Sequence, residues 1–465
     1  MSRTVACGVA FVAGSCLALS YVLWFGVNVP INDDWDHVET TLRWLENGID
    51  LRTVFTAYNE HCIAFTRLFT HGLLTASGGN YRTVLVANAL LMVVTLAVLL
   101  AFVRRWPLPT WCMAVFAAAL AAIVTAWCQW QILLWACTTP WFVLPLVLVA
   151  AATFVARSRS PWAAVFAAAA AAAAGVVSNS NGLFVGWALV PAVALRLREE
   201  PRPTARRAAL VFAACLLAAT AFGAALIAGG RGPGGGGLAA VLAAPFEAAR
   251  CVLAVLGSPL DPVGAFHGRQ TWSAVAGGLS LAAGIAAIVG CLRQETTIPS
   301  KDLGPGFALM VYGLASVAAV VLGRLAHISS NPVESRYQTF AIAWHAGVLV
   351  SCGFLAAGAA ASRRRSAWQV VLASASAACI ATTVLAAPLF VVHGRNMRQA
   401  LAAHQAIYRN ARSPEGREPL EKISRHYGAD RILRNLEGME RAGILHPDLS
   451  APPGRRRSGG ALPSP

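Results

Sequence analysis

Apolar runs of nearly one length dominate this chain. Stretches free of Asp, Glu, Lys and Arg recur from residue 5 to residue 392, separated by short polar segments. A helix needs about 20 such residues to cross about 30 Å of hydrocarbon. Within the bilayer its backbone polar groups must be bonded internally. The strands of a membrane barrel would alternate in polarity, and these runs do not. The mean hydropathy of +0.59 and the 57% hydrophobic content exceed what a soluble domain carries. The sequence therefore predicts an all-α polytopic membrane protein.

The formal charge of +16 could point to nucleic acid. Its placement argues against that partner, because the Arg residues cluster in short segments between apolar runs. That is the positive-inside pattern, which reports topology. The eleven Cys are mostly single and lie within apolar runs, with no C-x-x-C pair. They read as small packing residues rather than metal or redox ligands.

Taken in order, the first span covers about 5–27 and is read as retained, with the N-terminus in the cytoplasm. Residues 28–82 form a large outer loop. Further spans are expected at about 83–103, 108–126, 142–156, 162–177, 183–196, 208–228, 272–292, 305–323, 338–361 and 367–392, for about eleven crossings. Residues 238–257 contain Glu247 and Arg250. If they crossed, Arg363–Arg365 would fall outside, so they are expected to be interfacial or re-entrant. The glycine-rich run at 229–237 reads as a flexible outer linker. The transmembrane domain is thus 1–395. Residues 396–465 form a small outer helical tail with a disordered end, which places the C-terminus outside.

Charge is scarce, at 12% of residues, yet the first outer loop is acidic. It opens V-P-I-N-D-D-W-D-H and later reads N-E-H-C-I-A-F-T-R-L. Carboxylates beside a bilayer are costly unless solvated or employed. Asp36-His37-Val38-Glu39 has the form of a capping box, which makes Asp36 a helix cap. Asn59 suits an N-cap and Glu60 a first turn. Asp33 and Asp34 have no such explanation. Two adjacent carboxylates raise each other's proton affinity and could serve as a general base or as ligands to a divalent ion. Trp35 belongs to the same polar knot. His61 and Arg67 lie in the second motif, and Arg67 could equally be paired structurally with a loop carboxylate.

A second cluster, Arg324, His327, Arg336 and Tyr337, falls on the same face by parity. Two guanidinium groups near a leaflet would suit a phosphate, which Arg binds as a fork. They could also snorkel to lipid headgroups. Together the clusters frame a site in which a carboxylate activates a hydroxyl and the Arg pair holds a departing lipid phosphate.

On these residues the chain resembles the GT-C class of integral-membrane glycosyltransferases. That class includes the protein O-mannosyltransferases, lipid A aminoarabinose transferases and oligosaccharyltransferases. The likeness lies in a first span followed by a long outer loop that opens with an acidic pair, here Asp33-Asp34. Interfacial helices follow, here about 37–47 and 60–76. The N-D-D-W, N-E-H-x-I-x-F-x-R-L and S-R-Y strings resemble a bacterial subgroup of the class. The resemblance implies a bacterial cytoplasmic membrane and a polyprenyl-phosphate-linked sugar donor. It implies a glycan, lipid or protein acceptor, a catalytic Asp in the first loop, and Arg residues on the lipid phosphate. Trp35, His61, Arg67, Arg324, Arg336 and Tyr337 are then the substrate-binding candidates. No second acidic motif occupies a middle loop, where Asp261 in S-P-L-D-P reads as a turn. A divalent metal (Mg or Mn, on Asp33 and Asp34 if anywhere) is therefore not required by the pattern. The alternatives are a flippase or transporter for lipid-linked glycans, and a glycan polymerase or ligase. Internal repeats and mid-membrane charges would favour the flippase, and neither is present.

Overall fold

Helices begin where a side chain or proline can satisfy the first turn. Asn80 accepts from the Arg82 N–H to start the second long span, and Ser160 accepts from Ala163 just before Pro161. In the computed structural model described here, residues 2–58, 61–228, 237–261, 270–293, 296–329, 334–359, 362–424 and 428–449 are described. Asn59, Glu60, residues 229–236 of the expected linker and the expected disordered end lie outside them.

The helices are α1 (Arg3–Phe25), α2 (Asp34–Asn47), α3 (Leu51–Phe55), α4 (Ala64–Ala76), α5 (Tyr81–Val103), α6 (Thr110–Val124) and α7 (Trp130–Leu133). They continue with α8 (Pro140–Arg157), α9 (Pro161–Val176), α10 (Leu183–Leu197), α11 (Arg202–Ala228), α12 (Gly237–Ala243) and α13 (Pro245–Gly257). The last are α14 (Gln270–Arg293), α15 (Gly304–Ile328), α16 (Ser335–Gly358), α17 (Ser362–Asn410), α18 (Pro414–Ile423) and α19 (Ala429–Arg441). Among the described residues, 10 helical segments are long and apolar enough to cross a membrane, or up to 11 if α12 and α13 form one broken span. The protein is an all-α polytopic membrane protein. The helix α9 is short but packs against α8, α10 and α11, where a further crossing is expected.

The polar segments sort onto two ends of the bundle. At one end Arg196 donates to the carbonyls of Ser158 and Arg159, each at 2.8 Å. Nearby Arg3 reaches Leu108 O at 2.7 Å, and Lys301 pairs with Glu199 at 2.8 Å. The opposite end carries the first loop, the tryptophan-rich connection before α8, the turn between α9 and α10, and the tail. Asn28 closes the first loop on itself there, accepting from the Tyr81 N–H at 2.7 Å.

The α12–α13 pair bends by 105°. Arg250 donates to Ser329 O at the end of α15, and Asp261 accepts from Ser273 at the start of α14. Both contacts lie at the first-loop end, so residues 250–261 return to the face they left, as parity requires.

At the centre stands α16, buried along its whole length. It packs against α15, α17, α14, α13 and α6. The helix α17 has 49 residues and continues past the expected end of the last span into the tail. There α19 folds back onto α2, its Ile432, Leu436 and Met439 buried.

Candidate functional site

The acidic pair sits on a turn that aims its two members differently. Asn32 takes a left-handed conformation, φ 44°, which Asn tolerates better than most residues. The helix α2 then begins at Asp34, with Asp33 at the N-cap position. Asp34 is buried, and its carboxylate accepts the N–H of Ile31 at 3.0 Å and that of Cys137 at 2.8 Å. Burial raises its pKa to about 8, against the lowering effect of those two bonds. Asp33 instead lines a cavity of about 560 Å³.

That cavity brings residues together from six stretches of the chain. The first loop supplies Asp33, His37, Tyr58 and His61. The α7–α8 connection and the start of α8 supply Trp135 and Trp141, and the α9–α10 turn supplies Asn179, Ser180 and Asn181. From α15 come Ala319, Val320, Leu322 and Arg324, and from α16 come Arg336, Tyr337 and Phe340. Ile227, at the end of α11, completes an apolar wall.

His37 lies one turn beyond Asp33, on the same helix face. Burial and the Arg67 charge lower its pKa to about 4, with Asp36 opposing, so it is neutral at physiological pH. His61 Nδ1 is 2.6 Å from Ser180 Oγ. The helix α15 kinks at Arg324 (φ −137°, ψ 20°). Arg336 Nε lies 2.6 Å from Glu334 Oε2, an ion pair without hydrogen-bond geometry, and its guanidinium sits 5.0 Å from the Tyr337 ring centre. The Trp135 and Trp141 indole N–H groups, the Tyr337 hydroxyl and the Asn179 amide nitrogen are all buried without a hydrogen-bond partner among the described residues. All four can donate a hydrogen bond, and their residues line a space also walled by Arg. The two Arg in that lining favour a ligand rich in acceptor oxygens.

Asp33, His61, Arg324, Arg336 and Tyr337 thus line one space, as the sequence led us to expect. Four other assignments need correction. Asp34 is locked to backbone N–H groups behind the wall. Trp35 is buried against the tail, its indole donating to the Tyr408 hydroxyl at 3.3 Å. Arg67 Nη1 donates to the carbonyls of Thr53, Val54 and Thr56, so it braces α3 against α4. Asp36 is not a cap, because the helix has already begun. It accepts from Tyr58 Oη at 2.8 Å and from Arg431 Nη2 at 2.6 Å. The second loop helix starts at Ala64 with Ile63 at the N-cap, later than residue 60. Of His327 only the backbone is described.

Among the described residues, no group of three or more His, Cys, Asp or Glu is placed to hold a metal. With the Asp34 oxygens committed to Ile31 and Cys137, the acidic pair does not form a two-carboxylate seat. Every Cys is free.

No family model, curated protein or solved structure matches this chain. Its function is therefore argued from the cavity.

The sequence reading missed His37 and Tyr58, and took S-N-S-N-G only as an outer Asn/Gly turn between two short helices. His37 was hidden inside an apparent capping box. The turn was signalled, because S-N-S-N-G is a run of hydrogen-bonding side chains inside an otherwise apolar hairpin.

Proposed function

We propose that this protein is a glycosyltransferase that moves a sugar from a polyprenyl-phosphate-linked donor to an acceptor hydroxyl. The observation that carries the reading is the cavity, in which one carboxylate faces a space also lined by two Arg and an apolar wall. Asp33 takes the proton from the acceptor hydroxyl as its oxygen attacks the anomeric carbon. The bond from that carbon to the phosphate oxygen breaks, and the electron pair leaves with the lipid phosphate. Arg324 and Arg336 hold the charge that develops there. Attack opposite the leaving group inverts the anomeric centre.

Ile227, Val320 and Leu322 give the isoprenoid a path from the cavity toward the bilayer. A volume of about 560 Å³ falls in the usual range for sites of this kind. By the positive-inside pattern the cavity opens on the outer face of a bacterial cytoplasmic membrane, where the product joins a cell-envelope glycan, lipid or protein. A resident metal has no part in this scheme.

The test is transfer from a panel of labelled polyprenyl phosphate sugars by the purified protein in nanodiscs, with Asp33→Asn alongside. Full activity in Asp33→Asn would end the proposal. Glycolipid movement across vesicles without transfer would favour a flippase instead.

A further inference from the structure

The α9–α10 turn has a chemistry of its own. Gly175 and Gly182 hold it tight, since a Cβ on Gly182 would stand 1.8 Å from the Gly175 carbonyl oxygen. A side chain larger than glycine's fits at neither position without a backbone shift. Asn179 is buried. Its Oδ1 accepts the N–H of Asn181 at 3.1 Å, while its amide nitrogen has no hydrogen-bond partner among the described residues. Ser180 is held by His61. Asn181 is half-buried in the cavity wall, and its side-chain amide makes no hydrogen bond among the described residues. Two carboxamides and a hydroxyl thus stand on one rigid ledge without a formal charge.

A carboxamide offers a donor and an acceptor side by side, the complement of adjacent hydroxyls on a sugar ring. Asn179 and Ser180 are already held by hydrogen bonds, so ordering those two side chains costs binding little. A sugar carrying an ammonium or carboxylate group would find no counter-charge on these residues, and desolvating it there is costly.

Resting on the glycosyl-transfer reading, we infer that Asn179, Ser180 and Asn181 form the sugar-recognition subsite, and that the transferred sugar is neutral and polyhydroxylated. The phosphate is held by Arg324 and Arg336, so the sugar and lipid-phosphate contributions to binding are separable.

The experiment measures binding of three short probes to the full-length protein in nanodiscs. They are farnesyl phosphate, a farnesyl phosphate hexose, and a farnesyl phosphate carrying a 4-amino-4-deoxypentose. Asn181→Ala is the main variant because that side chain supports nothing else, and Ser180→Ala is the second. The hexose probe should bind more tightly than bare farnesyl phosphate, and the amino-sugar probe should not. Asn181→Ala should weaken the hexose probe by about three- to tenfold, the range for a neutral hydrogen bond. Bare farnesyl phosphate should bind the variant unchanged. Equal weakening of both probes, preference for the amino sugar, or no effect in either variant would overturn the inference while leaving the transferase reading intact. Failure of wild-type protein to bind even farnesyl phosphate would overturn both.

Discussion

The Asp34 carboxylate accepts the backbone N–H of Cys137 at 2.8 Å, joining the first loop to the tryptophan-rich connection. Asp33, its neighbour, lines the cavity instead. Two identical side chains one residue apart therefore have different jobs, and substitutions should separate them.

Asp33→Asn should lower transfer by a hundredfold or more, the usual scale for losing a general base, without changing the melting temperature. Asp34→Asn should do the reverse. The NH2 of the new amide would point a donor at one of the two backbone N–H groups, costing about 1–3 kcal/mol. Thermal unfolding in detergent and single-turnover transfer, measured on both variants, check the pair. Equal effects on stability would contradict the division of labour.

Stability should stay nearly level from about pH 4 to 6.5 and then fall toward about 8. His37, lowered to about 4, is neutral in the folded state. Its contribution is complete above about 6.5 and is lost as pH falls toward 4. Asp34 is raised to about 8, so its contribution is complete below the ordinary Asp pKa of about 4 and is lost as pH rises through 8. The two slopes oppose each other below about 6.5, and only the Asp34 decline acts from there to 8. Replacing His37 with Gln should extend that decline down to about pH 4, as read from melting temperatures across a pH series.

Arg336→Lys should weaken binding of a polyprenyl phosphate about tenfold, because an ammonium replaces the guanidinium fork. The N-terminal end of the fully buried α16 fixes this residue, so the melting temperature should change little. A binding isotherm with sugar-free polyprenyl phosphate tests it. Unchanged affinity would remove Arg336 from the phosphate site.

Arg67→Met should act through structure alone. Three carbonyls would lose their shared donor, and α3 would come free of α4, for a loss of about 2–4 kcal/mol. Proteolysis between residues 50 and 58 should quicken. Reduced lipid-phosphate affinity in a variant that remains folded would instead return Arg67 to the site.

The number and order of the membrane helices were legible because bilayer thickness sets the run length and positive loops set the parity. The acidic loop and the distant Arg cluster were legible because charge is rare in this chain. Which Asp faces the cavity was not, since that depends on a left-handed Asn32 and on an N–H supplied by Cys137. For Arg67 the pattern offered a salt bridge, and three carbonyls took its place. The Asn179–Asn181 ledge read as a turn, because a local motif does not reveal what packs across from it.

Arg431 of α19 pairs with Asp36 and Glu39 of α2, and this contact has a consequence for synthesis. The first loop leaves the ribosome before nearly everything it must hold. The helix that covers it comes only after α17 has been inserted and continued to Asn410. While the chain is growing, α2 carries its carboxylates without their Arg partner and Tyr58 shares Asp36 with nothing from the tail. A nascent polypeptide therefore carries these two carboxylates long before their Arg partner is made, and the contact between α2 and α19 can form only after α17 is complete.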